Sequence, residues 1–168
     1  KENRLTKKSV PTIFANLSTK SLMHIDLSNN NLKGGQCSTA ISEYFKSPNA
    51  CKVLIVSNCN FISKDLITLC DGWMHLVRQN LEEFIADENQ IDETGVEVLA
   101  LYMKRVMTVE LDPKAYLHKT IGNCICPLKK ISLAWNNVKE GGALHVASAL
   151  RVNSTIKHLD LSAQQQML

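Results

Sequence analysis

One spacing recurs along this chain and limits what it can fold into. The pattern is L-x-x-L-x-L-x-x-N/C-x-L, apolar at its first, fourth, sixth and eleventh places, with Asn or Cys at the ninth. It occurs at Leu22, Ile25, Leu27, Asn30 and Leu32, then at Cys51, Leu54, Val56, Cys59 and Phe61, then at Leu81, Phe84, Ala86, Asn89 and Ile91. A weaker copy occupies Val106, Val109, Leu111, Lys114 and Tyr116, and a fifth occupies Leu128, Ile131, Leu133, Asn136 and Val138. A sixth opens at Ile156, Leu159 and Leu161 and carries Gln164 at the ninth place. The ninth places fall at 30, 59, 89, 114, 136 and 164, steps of 29, 30, 25, 22 and 28, and deletions in the fourth unit account for the short steps.

Each copy has a specific chemistry. Apolar residues two apart share one face of a short strand, so the fourth and sixth places point inward together. The Asn then turns the chain off the strand, and its side chain is suited to bond backbone groups that the turn leaves open, unit after unit. Cys59 serves the same place as a small buried residue.

Helical stretches separate the copies. After Gly34-Gly35, residues Cys37, Ala40, Ile41, Tyr44 and Phe45 keep one apolar face until Ser47-Pro48-Asn49 ends it. Leu66, Ile67, Cys70, Trp73, Met74 and Val77 form a cleaner helical stripe. The next helix opens on Thr94 and Glu97 as a capping box and is expected to bury Val98, Leu99, Tyr102, Met103 and Val106. The last runs from about Gly142 and turns Ala143, Leu144, Ala147 and Leu150 inward. Val10, Ile13, Phe14 and Leu17 read as the helix of an incomplete first unit. Strand plus helix in every unit predicts an α/β solenoid, a right-handed horseshoe. Its parallel sheet of about six strands lies on the concave face and its helices on the convex face. Residues 1–168 form a single domain of that kind.

The stretch from Leu128 to Ser162 resembles the leucine-rich repeats of the ribonuclease-inhibitor class. Its Gly142-Ala143, Ala147, Leu150, Asn153 and Ile156 stand where such repeats carry G-A, A, L, N and L. The resemblance spans about residues 10 to 162 and departs at 112–127 (DPKAYLHKTIGNCICP), where no helical period survives and a loop is expected. Similar repeats occur in NOD-like receptors, CARMIL actin-capping regulators, tropomodulin, Ran GTPase-activating protein and ciliary repeat proteins. These relatives share repeats and differ in their work, so the resemblance implies a fold and a general binding role.

In such a fold the outward strand positions stack into rows. One row reads Asp26, Ile55, Ile85, Glu110, Ser132, Asp160, and the next reads Ser28, Ser57, Asp87, Asp112, Ala134, Ser162. Beside them run Asn29, Asn58, Glu88, Pro113, Trp135 and Ala163. Residues 82–112 hold nine of the sixteen acids and two bases, Lys104 and Arg105, in a chain of net charge +3. The candidate partner-binding set is therefore Asp26, Ile55, Glu83, Ile85, Asp87, Glu88, Glu110, Asp112 and Trp135. Ile85 and Trp135 would be its apolar anchors and the acids its contacts to a basic segment of a protein partner.

Other classes find little support. The charge of +3 argues for neither nucleic acid nor a membrane surface, and no apolar run reaches the length of a span. No phosphate loop, nucleophile elbow or zinc-protease motif occurs, and no catalytic residue or cofactor is assigned. Cys124-x-Cys126 near His118 lacks a zinc site's spacing and second pair, so no metal is expected. The six cysteines do not read as a disulfide framework, and the sequons at Asn16 and Asn153 read as chance matches in a reduced, cytoplasmic protein. The leading expectation is a non-enzymatic interaction module of a cytoskeletal, ciliary or signalling scaffold. A GTPase activator of the Ran type would need an Arg or Asn on the strand-to-helix loops. Those loops offer Asn31, Lys33, Asn60, Lys64, Asn89 and Lys139 and no arginine. The third alternative is a repeat fragment of an innate-immune sensor. The sixth strand has no helix after it in this sequence, which predicts a fragment of a longer repeat protein, or an edge covered by a partner or by end-to-end association.

Overall fold

The computed structural model describes residues 5–17, 21–75, 79–105 and 126–164. Its elements alternate along the chain: α1 (Ser9–Asn16), β1 (His24–Asp26), α2 (Gln36–Phe45), β2 (Val53–Ile55), α3 (Ser63–His75), β3 (Glu83–Ile85), α4 (Glu93–Met103), β4 (Lys130–Ser132), α5 (Lys139–Leu150) and β5 (His158–Asp160). The five strands form one sheet in chain order, each pair parallel. The register aligns Ile25, Leu54, Phe84, Ile131 and Leu159, the fourth place of every described copy. Each helix packs on its neighbour in chain order, α1 on α2, α2 on α3, α3 on α4 and α4 on α5. This nearest-neighbour arrangement is an α/β solenoid, strands on one face and helices on the other.

The sheet corrects one expectation. β3 pairs directly with β4, Glu83 opposite Lys130 and Ile85 opposite Ser132, so the described sheet has five strands where six were expected. The fourth copy (Val106 to Tyr116) lies outside the described residues, and β4 already occupies the place beside β3. The step from Asn89 to Asn136 is then 47 residues where earlier steps are 29 and 30. The chain carries an insertion after α4, not a unit shortened by deletions.

A ladder at the ninth place ties the units together. Asn89 donates to Val56 O of the preceding unit and to Ala86 O and Asp87 O of its own, while its Oδ1 accepts from Cys59 N and Phe61 N. Asn136 repeats the motif, donating to Ala86 O, Leu133 O and Ala134 O and accepting from Ile91 N. Gln164 does the same with its longer side chain, donating to Leu133 O, Leu161 O and Ser162 O and accepting from Val138 N. Cys59 supplies only the donor half, its thiol reaching Leu27 O at 3.0 Å. Leu32 N turns instead to the Cys59 carbonyl. Every rung answers backbone groups that the turn would otherwise bury unpaired.

Two further devices set the spacing between units. A spine of aromatic rings runs through the core, Phe14 to Tyr44 to Phe45 to Trp73 and on to Phe84 and Tyr102, with centroids 4.9–6.2 Å apart. Glycine lets helices approach closely: a Cβ at Gly72 in α3 would stand 2.5 Å from the Ser42 carbonyl oxygen of α2. Gly142 plays a similar part in α5, where a Cβ would meet Val138 Cγ1 at 2.7 Å and Glu93 Cα at 3.4 Å. Gly141 and Gly142 lie in the first turn of α5, whereas Gly34 and Gly35 occupy a loop with φ of 117° and 78°.

The opening of α4 also differs from expectation. Asp92, not Thr94, is the N-cap, and its carboxylate accepts from the Thr94 backbone N–H and hydroxyl at 2.9 and 2.6 Å. Ser63 of the previous unit donates to the same carboxylate at 2.6 Å. A carboxylate at the helix start meets the open N–H groups and the positive end of the dipole, which the neutral Thr94 hydroxyl two residues on does not.

Candidate functional site

The strand face carries the outward rows, and the turns that follow the strands form its rim. At one rim position every described unit adopts the left-handed backbone: Asn29, Asn58, Glu88, Trp135 and Ala163 have φ of 59°, 51°, 55°, 57° and 51°. Asn tolerates that conformation and a bulky residue does not. Trp135 nevertheless holds it with 56% of its surface exposed. Buried Leu133 and Asn136 flank it, and its N–H donates to Ser162 O at 3.0 Å. The ring is thus displayed from a backbone fixed on both sides.

Asp87 supplies much of that rigidity. Its Oδ1 accepts from Ser132 Oγ at 2.5 Å and from Ala134 N at 2.9 Å, locking the β4 turn beneath Trp135. Read from sequence as a partner contact, Asp87 proves half-buried and engaged inside the solenoid. Glu88 beside it is exposed and makes no ion pair among the described residues, its backbone N–H donating to Ala134 O at 2.9 Å. Ile55 and Ile85 stand side by side in register on β2 and β3, both half-buried. Asp26 is exposed on β1, and hydrogen bonds from the Ser28 side chain and backbone hold its carboxyl below the usual range. Glu110 and Asp112 lie outside the described residues, and Ser132 and Ala134 occupy the row places next to Ile85 and Asp87.

The continuous acidic strip is also broken up by lysines. Glu82 lies between Lys129 at 2.8 Å and Lys52 at 3.7 Å, and Lys129 lowers its pKa. Lys130 stands 3.9 Å from Glu83. A hollow of about 820 Å³ at this end of the face is lined by Glu83, Lys129, Lys130, Lys157, His158 and Asp160 among others. The sequence reading missed these lysines because the inserted fourth copy appeared to separate Lys129 from Glu82 by an extra strand. Without that copy, Lys52, Glu82, Lys129 and Lys157 fall into one row, joined by backbone bonds from Glu82 N to Lys52 O, Lys129 N to Glu82 O and Lys157 N to Lys129 O.

Other candidate residues are accounted for by the fold. Asn89, offered by sequence as a loop Asn, is 3% exposed in the ladder, and Lys64 lies in the first turn of α3. Asn153 donates to Met103 O and accepts from Thr155 N and Ile156 N, so its amide is engaged in a turn. Burial pushes the thiols of Cys37, Cys51 and Cys59 up to about 11 and that of Cys70 still higher, which suppresses thiolate nucleophiles. Cys126 is buried, while Cys124 and His118 lie outside the described residues. Among the described residues no three His, Cys, Asp or Glu side chains gather as metal ligands, and no described helix is long and apolar enough to cross a membrane.

Comparison with known proteins agrees with this architecture. The profile of the family described as Leucine Rich Repeat matches residues 21–45, the unit of β1 and α2. No curated protein matches the sequence. Among solved structures, "Leiomodin-1 Actin-Binding Site 2 (ABS2)" superposes with a TM-score of 0.63 at 10% identity, over 95% of this chain and 79% of that one. Taken with the ladder that repeats through its turns, these matches show that the chain has the leucine-rich-repeat fold.

Proposed function

We propose that this chain is a non-enzymatic interaction module that docks a protein partner on its strand face, with Trp135 as the anchor. One observation carries the reading: a tryptophan 56% exposed and held at φ 57°, where its backbone conformation is unfavourable and no burial compensates it. Large aromatics at a rigid, half-open site are the side chains that dominate protein interfaces. Ile55 and Ile85 extend the apolar surface across β2 and β3. Exposed Glu88 beside the ring, with Asp26 further along, would meet a basic segment of the partner. The ladder amides and Asp87 are engaged in holding the scaffold, which favours binding over chemistry. A cytoplasmic setting belongs to the same reading, supported by free, buried thiols at Cys37, Cys51, Cys59 and Cys70.

The fold shared with the leiomodin-1 actin-binding site makes monomeric actin the first probe to test. Trp135→Asn keeps the left-handed turn and removes the anchor. The expected result is a loss of about 2 kcal/mol of binding, roughly thirtyfold in Kd, with the thermal midpoint unchanged or raised. If actin does not bind, cross-linked captures on the wild-type and Trp135→Asn proteins are compared. A partner held equally by both proteins would move the binding site off this rim.

A further inference from the structure

We propose that a hollow between the starts of α1, α2 and α3 binds a phosphoserine of a partner protein, at a site separate from Trp135. The hollow has a volume of about 740 Å³, and Lys7, Lys8, Gly35, Gln36, Thr39 and Lys64 are among the residues that line it. Three of these are cations, and none of the described lining residues is acidic. Lys7, Lys8 and Lys64 make no ion pair among the described residues.

The solenoid gathers these lysines from units far apart in sequence. Leu5 N–H donates to Asn30 Oδ1 at 2.9 Å, as Phe61 N–H does to Asn89 Oδ1, so both stand at the same place of the pattern. Three residues on from Leu5, Leu32 and Phe61 come Lys8, Gly35 and Lys64, aligned in successive units. The middle unit therefore has no side chain where its two neighbours carry lysine. A Cβ on Gly34 or Gly35 would meet nothing within 4 Å, so packing does not fill the gap. The segment leading into α1 is already bonded into the ladder through Leu5, and the units that bound the hollow on each side are all present.

Charge selects the ligand. Like charges gathered around one gap repel one another, and a bound anion removes that cost. A phosphomonoester brings about two negative charges and three acceptor oxygens, against the single charge of a carboxylate. The hollow is roomier than one phosphate group, and Pro11, Ala40 and the lysine stems give it an apolar part suited to flanking peptide residues. The positive field is also short. At the starts of the next two helices stand Asp92, Glu93 and Glu140, which would repel the extended phosphate array of a nucleic acid or an anionic bilayer. One isolated phosphate on a protein segment avoids them.

Amide NMR on the whole chain tests the site, with a capped Ala-phosphoserine-Ala peptide as the probe in phosphate-free buffer. The amides of Gly34, Gly35, Gln36 and Thr39 should shift and saturate, and the unphosphorylated peptide should leave them in place. Lys8→Glu/Lys64→Glu reverses two of the three charges at exposed positions and should weaken binding about tenfold or more, with the thermal midpoint unchanged. Trp135→Asn should leave the titration unaltered, so this site and the rim site stand or fall separately. Silent amides, or equal shifts in the double variant, overturn the proposal. Inorganic phosphate that binds as tightly as the peptide reduces the hollow to an ion site and overturns it too. Vesicles containing a phosphoinositide, or a short DNA duplex, that move these amides at lower concentration overturn the protein source.

Discussion

The unit of β2 and α3 and the end unit of β5 carry the same pattern with different outcomes. Leu54, Val56 and Phe61 are fully buried, and α3 is covered on both flanks by α2 and α4. Leu159 and Leu161 occupy the same places as Leu54 and Val56 and stay half-open. Nothing in the side chains distinguishes the two. A repeat buries its apolar face only when both neighbours are present, so burial here belongs to the stack rather than to the residue.

The sharpest way to break that comparison is one substitution made twice. Leu54→Ala should cost about 2–5 kcal/mol through lost transfer energy and a cavity closed on all sides. Leu159→Ala, at the matching place in the sheet, should cost about 1 kcal/mol, since the site is already partly hydrated. Chemical denaturation of both variants measures the difference. Equal losses would mean that the end unit is as well covered as the middle, and the comparison would fall.

A second pair sharpens it at the ladder. Asn89→Ala leaves buried carbonyls and N–H groups of two units unpaired and should cost about 2–3 kcal/mol. Gln164→Ala removes the same kind of rung where water can enter and should cost about 1 kcal/mol. Were the glutamine rung as costly as the asparagine rung, the end unit would hold its turn in a setting as dry as the middle one.

The smallest effect separates rim from core. Trp135→Asn should raise stability by about 1 kcal/mol, because Asn tolerates the left-handed backbone that Trp occupies at a cost. Glu88→Ala, exposed at the neighbouring rim place, should stay within about 0.5 kcal/mol of the wild type. A clear destabilisation by Trp135→Asn would show that the ring packs on the fold, and would remove it as an anchor.

What could be read from residues alone follows from local period. Ile25, Leu54, Phe84, Ile131 and Leu159 were identifiable as inward positions because side chains two apart share a strand face whatever surrounds them. The role of Asn at the ninth place was readable for the same reason: the turn creates unpaired groups within reach of that side chain. Gln164 was harder to place, since one extra methylene looks like a broken pattern until its donors are seen on Leu133 O and Leu161 O.

Tertiary structure alone decided which copies join the sheet. A strand of three residues is a weak local signal, and Val109 to Leu111 satisfies it as spacing. Whether such a segment takes a place in the sheet depends on neighbours that bond both its edges, and β3 bonds β4 instead. That one register choice sets Lys129 against Glu82, seats the β4 turn on Asp87, and divides the apparent acidic strip. The fate of α5's apolar residues was likewise invisible, because helical period says that a face exists and only the next unit in the stack can cover it.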